Sequence, residues 1–413
     1  MRRFFVCSVV WAMALVLLPS GVSAFQEEGT LRIGGMWALS GPAAYVGSSS
    51  NGLSSLAIDE INEAGGVEIK GKRVKLVKYA YDDACKAEEG LTIVRRLADS
   101  DKVLFSLGPT CSNVAEPVFG TLQKRLDDPN DTGLQFLFFT DTAIKFGLAK
   151  ISPWAFRNVG NEPAMFDLTF QLVQEKYPDL KTVAVAYESD FAHSVSTWKG
   201  AVKPALEKYG YQVLDVVEWR FEDTEFGPQT SKLRKLNPDI LVMLSHTYTT
   251  CGSMKEFKRQ RVKSKLMVGI TSTANTETMT ACGMAVEGMI IPTNFAPINP
   301  KAKEIAELAW AKYKADSNLH SVPAYENIYA IKGIVEKVGI DNEPHTLLAD
   351  RRKVRDALAK LGTFQGIIGP IKMNGDDDPV KPRDVDKAVI LVQAKGGEWT
   401  VWWQPPEMEQ DKQ

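Results

Sequence analysis

Residues 81–113 read YDDACKAEEGLTIVRRLADSDKVLFSLGPTCSN, and this stretch decides the fold. It opens on Tyr81-Asp82-Asp83-Ala84-Cys85. Ala87, Leu91, Val94, Leu97 and Ala98 then recur at the spacing of one apolar helix stripe. An apolar run over 103–107 reads as a strand, and Gly108-Pro109-Thr110-Cys111-Ser112-Asn113 as the turn into a new helix. Strand, glycine turn and helix in that order are half of a βαβ unit. In open α/β sheets ligands gather at the carboxyl ends of strands, where helix N-termini point unpaired N–H groups outward. Thr110, Ser112 and Asn113 add side-chain donors there, which predicts a seat for a small anionic or polar group. Ser and Asn ahead of a helix also serve as plain caps, so the choice rests on the rest of the chain.

Working outward, the same alternation repeats. Strands are predicted over 31–39 and 74–79, with a helix between them carrying Leu53, Leu56, Ala57 and Ile61 and stopping at Gly65-Gly66. Val114, Val118 and Leu122 continue on a helix, 124–133 reads as a polar surface loop, and 136–139 as a strand ending in Thr140-Asp141-Thr142. The pattern restarts near 154–163. Strands follow over 182–187, 213–217, 240–244, 266–270 and 288–292, with helices between them such as 198–209 and 228–236. Helices near 301–313, 324–338 and 350–361 precede two closing strands over 388–392 and 399–403. The reading is α/β, with two doubly wound lobes joined by several crossings, a hinged pair with a cleft between them.

Bulk properties narrow the function. With 413 residues the chain is long enough for two domains, and a formal charge of −2 with mixed signs offers no basic face for nucleic acid. Arg2 and Arg3, a short apolar core over 9–18 and Val22-Ser23-Ala24 make a secretory leader, with cleavage expected after Ala24. The core is shorter than the roughly 20 residues that cross a bilayer, and Cys7 precedes it, which disfavours a lipid anchor. A soluble, exported chain is expected, starting near Phe25. Past the leader, Cys85, Cys111, Cys251 and Cys282 remain, an even set for an oxidising compartment with three possible pairings. The motifs GxSxG, HExxH, GxGxxG and the P-loop are missing. The four histidines, His193, His246, His320 and His345, form no spaced metal set, and Asp82-Asp83 reads as capping and first-turn charge. No metal, no cofactor and no enzyme is called for.

At this point the motifs match a family. Leu39-Ser40-Gly41-Pro42, Ile61-Asn62-Glu63-Ala64-Gly65-Gly66-Val67, Gly71-Lys72-Arg73-Val74, Tyr81-Asp82-Asp83-Ala84-Cys85 and Gly108-Pro109-Thr110-Cys111-Ser112 come in this order, followed by Asn237-Pro238-Asp239, Glu287-Gly288-Met289 and Gly366-Ile367-Ile368-Gly369-Pro370. Together they resemble the solute-binding proteins of branched-chain amino-acid ABC importers, the leucine/isoleucine/valine-binding type. The resemblance implies a type I periplasmic binding protein fold with a three-crossing hinge. After the leader over 1–24, it implies a first lobe over 25–157 and 294–380, and a second over 158–293 and 381–413, with crossings near 157–160, 292–295 and 380–383. It also implies a receptor that closes on a small ligand (amino acid, amide or organic acid) and delivers it to an inner-membrane ABC permease. A periplasmic sensor on a signalling partner and, less favoured, a secreted enzyme are the alternatives.

The resemblance further implies the site. Ser112 would bind a ligand carboxylate beside Asn113, Tyr45 would cover the ligand, and Thr140, Asp141 and Thr142 would give a carbonyl and a hydroxyl. Phe191 and Tyr248 would stand on the second lobe and Tyr325 near a further aromatic contact; packing serves equally for these aromatics and for Tyr45. Thr271 stands where amino-acid-binding relatives carry a glutamate for the ligand ammonium. Asp141 is then the nearest replacement by position, or the ligand has no ammonium. The resemblance also places Cys85 with Cys111 and leaves Cys251 and Cys282 as a second bridge.

Overall fold

The structure, a computed structural model, describes residues 29–408. The expected leader and its cleavage point lie outside the described residues. Two sheets dominate. The first runs Val67–Ile69, Lys72–Asp82, Thr30–Trp37, Phe105–Leu107, Leu137–Thr140, Ala155–Arg157. It is parallel except for the hairpin joining its first two strands. The second runs Glu398–Trp403, Ile390–Lys395, Ile290–Thr293, Leu266–Gly269, Ile240–Leu244, Thr182–Glu188, Gln212–Trp219, with an antiparallel pair at one edge.

Both sheets are wound on two faces because their strands carry apolar residues on two faces. Val183 and Val185 pack into one core with Val242 and Val268, while Ala184 and Ala186 pack into another with Leu241 and Ile291. In the first lobe Leu31, Ile33, Phe105, Leu107 and Phe138 share one core with Leu53, Leu56 and Ile61 of the helix Ala44–Glu63. The central stretch folds as read: helix Ala87–Arg95, continued by a wider turn over Arg96–Ser100, then strand, turn and the helix Ser112–Gly120. Gly108 has φ +79, and a Cβ there would stand 1.8 Å from the Met36 carbonyl oxygen, so no other residue fits this turn.

The chain passes between the lobes three times. Arg157 ends the first sheet with its guanidinium buried, 3.1 Å from Asp384. Asn158 donates to Glu326 and Asn327 at 3.1 and 2.8 Å, and Lys387 Nζ lies 2.8 Å from Glu326. A third, small sheet of Thr363–Gln365, Pro370–Met373 and Val385–Asp386 packs into the first core through Ile371, Met373 and Val385. It was not anticipated, and its strand Val385–Asp386 pairs with Pro370–Met373. Both expected disulfides, Cys85–Cys111 and Cys251–Cys282, are present. No helix among the described residues is long and apolar enough to cross a membrane.

Candidate ligand-binding site

The carboxyl ends of both sheets face one narrow cavity between the lobes. Its wall on the first lobe is Pro42, Ala43, Val46, Thr110, Ser112, Thr142, Ile144 and His320. Its free volume is about 40 Å³, room for about three waters. Cys111 caps the helix Ser112–Gly120, which has no acidic residue in its first turn, so its N-terminal N–H groups keep their partial positive charge. Ser112 Oγ accepts from Lys145 N at 3.2 Å. Its own hydrogen is left to donate to an incoming oxygen. Thr110 Oγ1 accepts from Ala38 N at 3.0 Å and so fixes the Leu39-Ser40-Gly41-Pro42 turn beside it.

The second lobe contributes Phe191, His193, Phe221, His246, Thr247, Ser272 and Glu277. Phe191 stacks on Phe221 with centroids 4.3 Å apart, and His246 stands edge-on to Phe191 at 4.5 Å, a flat apolar wall. Behind it runs a row of four titratable groups. Glu162 Oε1 is 2.8 Å from His193 Nε2, His193 Nδ1 is 3.1 Å from His246 Nε2, and His246 Nδ1 is 2.5 Å from Glu188 Oε2. Thr271 and Thr197 donate to Glu162 at 2.7 and 2.6 Å; Ser194, Thr249 and the His246 amide donate to Glu188. Burial alone would raise both carboxyls. The charge and hydrogen bond of the facing histidine, with those hydroxyls, outweigh it and hold both below their ordinary value. Both are therefore carboxylates with their lone pairs engaged. Three of the four histidines, His193, His246 and His320, thus meet at one place, with His320 6.4 Å from His193 between ring centroids. Among the described residues, no set of three or more His, Cys, Asp or Glu could hold a metal ion.

The anticipated residues scatter. Ser112, Thr142 and Phe191 line the inner cavity. Tyr45 and Tyr248 lie in an adjoining outer basin of about 680 Å³, bordered with the inner one by Pro42, Thr247 and Glu277. Asn113 turns away and donates to the Cys85 carbonyl at 3.2 Å. Thr140 is fully buried, its carbonyl accepting from Asn158 N at 2.8 Å. Thr271 is spent on Glu162. Tyr325 bonds Glu60 and packs on Tyr329, on a helix face away from the cavity.

Asp141 is the clearest correction. It is fully buried and accepts from Trp37 Nε1 at 3.1 Å, Gly108 N at 2.5 Å and Thr142 Oγ1 at 2.9 Å. Burial raises its carboxyl despite these bonds. It braces the turn that presents Ser112 and does not line the cavity. Asp141→Asn is expected to cost about 1–3 kcal/mol of stability, because one amide N–H must face a donor, and to leave ligand affinity within a few-fold. Urea melts beside calorimetry check this; lost affinity at unchanged stability would count against it.

His193, His246, His320, Glu162, Glu188, Phe221, Ser272 and Glu277 were not anticipated. A signal existed for two of them, since His193 and His246 come soon after the strands Thr182–Glu188 and Ile240–Leu244, where ligands gather.

A periplasmic binding protein family model matches residues 30–398. The chain belongs to that family. It is 25% identical over 368 residues to the leucine-, isoleucine-, valine-, threonine- and alanine-binding protein of Pseudomonas aeruginosa, covering 88% of this chain and 91% of the relative. Among solved structures it is similar to a leucine-binding protein of Thermotoga maritima, with TM-score 0.76 at 18% identity over 91% of this chain and 99% of that one. It is also similar to an ABC-transporter solute-binding protein of R. palustris in complex with benzoate, with TM-score 0.74 at 17% identity over 91% and 96%.

Proposed function

We propose that this periplasmic binding protein is an exported receptor that closes on a small carboxylate and delivers it to an ABC permease in the inner membrane. The hinge we assign to the passages near 158–161, 294–299 and 387–389. One observation carries the ligand reading. Ser112, with a free hydrogen at the unneutralised N-terminus of its helix, faces a cavity whose nearest buried carboxylates, Glu162 and Glu188, are already engaged. Such a site favours an anion and leaves a desolvated ammonium without its countercharge. The benzoate held by the R. palustris neighbour and the amino acids named for the curated relatives span the two options.

A second reading, an α-amino acid, is favoured by Glu277. It lines the cavity half-buried, and burial followed by Asp316 raises its carboxyl, so a cation beside it would be welcome. Mass spectrometry of the co-purified ligand, then calorimetry with leucine, valine, a short amide, benzoate and a short-chain acid, separates the two. Ser112→Ala is expected to weaken acid binding by about ten- to a hundredfold, the worth of one charge-assisted hydrogen bond. Tightest binding of leucine, abolished by Glu277→Gln, would overturn the carboxylate reading in favour of the second.

A further inference from the structure

Two polar atoms in the cavity wall are buried and have no hydrogen-bond partner among the described residues: Nε2 of His320, on the first lobe, and Oγ of Ser272, on the second. The two residues are 4% and 6% exposed. The ring nitrogens of His193 and His246 are all engaged in the row with Glu162 and Glu188. A buried polar atom left unbonded is costly. The two residues that carry these atoms line one small cavity from opposite lobes, where a ligand can supply the missing partners.

The chemistry of the pair can be worked out. His320 Nδ1 lies 3.1 Å from the Thr142 carbonyl oxygen. A carbonyl only accepts, so Nδ1 carries the hydrogen. A second proton on Nε2 is opposed by burial, then by His193 and His246, which together push His320 down to about 3. Nε2 is therefore a bare acceptor, while the Ser272 hydroxyl has a hydrogen to give. A ligand hydroxyl answers both, with one hydrogen and free lone pairs. An ammonium has three hydrogens, no lone pair and a charge to balance.

We propose that His320 and Ser272 read a hydroxyl on the ligand, so that the cleft takes a small hydroxy-carboxylic acid. Its carboxylate sits on Ser112 and its apolar body lies against Phe191 and Phe221. This rests on the carboxylate-receptor reading above and names the class of acid.

Calorimetry on the full chain with matched acids tests it. One series is 2-hydroxy-3-methylbutyrate, 3-methylbutyrate and valine; a second is 3-hydroxybutyrate and butyrate; a third is 4-hydroxybenzoate, benzoate and 4-methoxybenzoate. In at least one series the hydroxy acid is expected to bind about ten- to a hundredfold tighter than its deoxy or O-methyl partner. His320→Leu and Ser272→Ala should each erase that gap, and Ser112→Ala should weaken both members alike. His320→Gln, which keeps an acceptor oxygen, should retain part of the gap, and the wild-type comparison needs no variant. Equal affinities within every pair, valine binding tightest, or a gap that survives both substitutions overturns the assignment. Acids that bind without hydroxyl preference remove this inference alone. If no acid binds, or Ser112→Ala changes nothing, the receptor reading falls with it.

Discussion

Replacing both Cys85 and Cys111 with serine is expected to lower the unfolding free energy by about 3–4 kcal/mol, the chain-entropy value for a loop of this length. The bridge closes a sequence separation of 26 residues and ties the Asp82-Asp83-Ala84-Cys85 turn to the residue that caps the Ser112–Gly120 helix. That turn is held by short bonds. Asp82 accepts from Leu39 N at 2.7 Å and from Ala84 N at 2.8 Å, and Asp83 from Cys85 N at 2.8 Å. Asp83 is buried, which raises its carboxyl to about 6 in spite of that bond. The disulfide therefore holds the seat of Ser112 as well as shortening the unfolded chain. Ligand affinity should fall with stability in this variant. In Cys251→Ser/Cys282→Ser it should fall less, since that bridge joins the helices Thr247–Gln260 and Thr276–Cys282 on the other lobe. Urea midpoints and calorimetry of both variants decide the matter. A Cys85/Cys111 variant as stable as the parent would show that the turn is held without the bridge.

Much of the fold was legible because it is local. Parallel strands buried on two faces, glycine turns and amphipathic helices each write a period that one segment shows by itself. The sheet of Thr363–Gln365, Pro370–Met373 and Val385–Asp386 escaped because strands of two to four residues carry too little period to see. The site was legible where a turn makes it. Ser112 and Thr142 follow strand ends within one lobe, and their place is fixed by backbone a few residues long. Asp141 stands between Thr140 and Thr142, and side-chain alternation fails once the chain leaves the strand, so its inward direction could not be read. The second-lobe wall was illegible for another reason. His193 and His246 are 53 residues apart, Glu162 and His193 are 31 apart, and Glu188 and His246 are 58 apart. Only the closed sheet brings them together. The Thr271 departure was visible in sequence, but its consequence, a hydroxyl given to Glu162 at 2.7 Å, needed the fold.

The row Glu162–His193–His246–Glu188 sets the other large expectation. Three links join four groups, and each link needs one hydrogen. With both glutamates ionised, two neutral imidazoles supply two hydrogens, so the third places one positive charge on the histidine pair. The row then carries two negative charges and one positive, all buried. Glu162→Gln leaves one negative and one positive charge in the row, and it sets an amide N–H against the donors that Glu162 accepts from, His193 Nε2, Thr197 and Thr271. An amide N–H facing those donors in a buried row costs about 1–3 kcal/mol. The pH dependence follows the same residues. Glu162 and Glu188 lie below their ordinary value of 4.5 in the fold, so their contribution is present above that pH and is lost as the pH falls through their folded values. Asp83, Asp141 and Asp384 are raised by burial and contribute the opposite slope, equally in both proteins. Subtracting the stability of Glu162→Gln from that of the parent between pH 7 and 3.5 therefore isolates Glu162 and what it holds. The difference should be largest above about pH 4.5 and shrink as the pH falls below it. A difference under about 0.5 kcal/mol, or one that grows as the solution is acidified below about pH 4.5, would mean that the row holds together without Glu162 as a carboxylate.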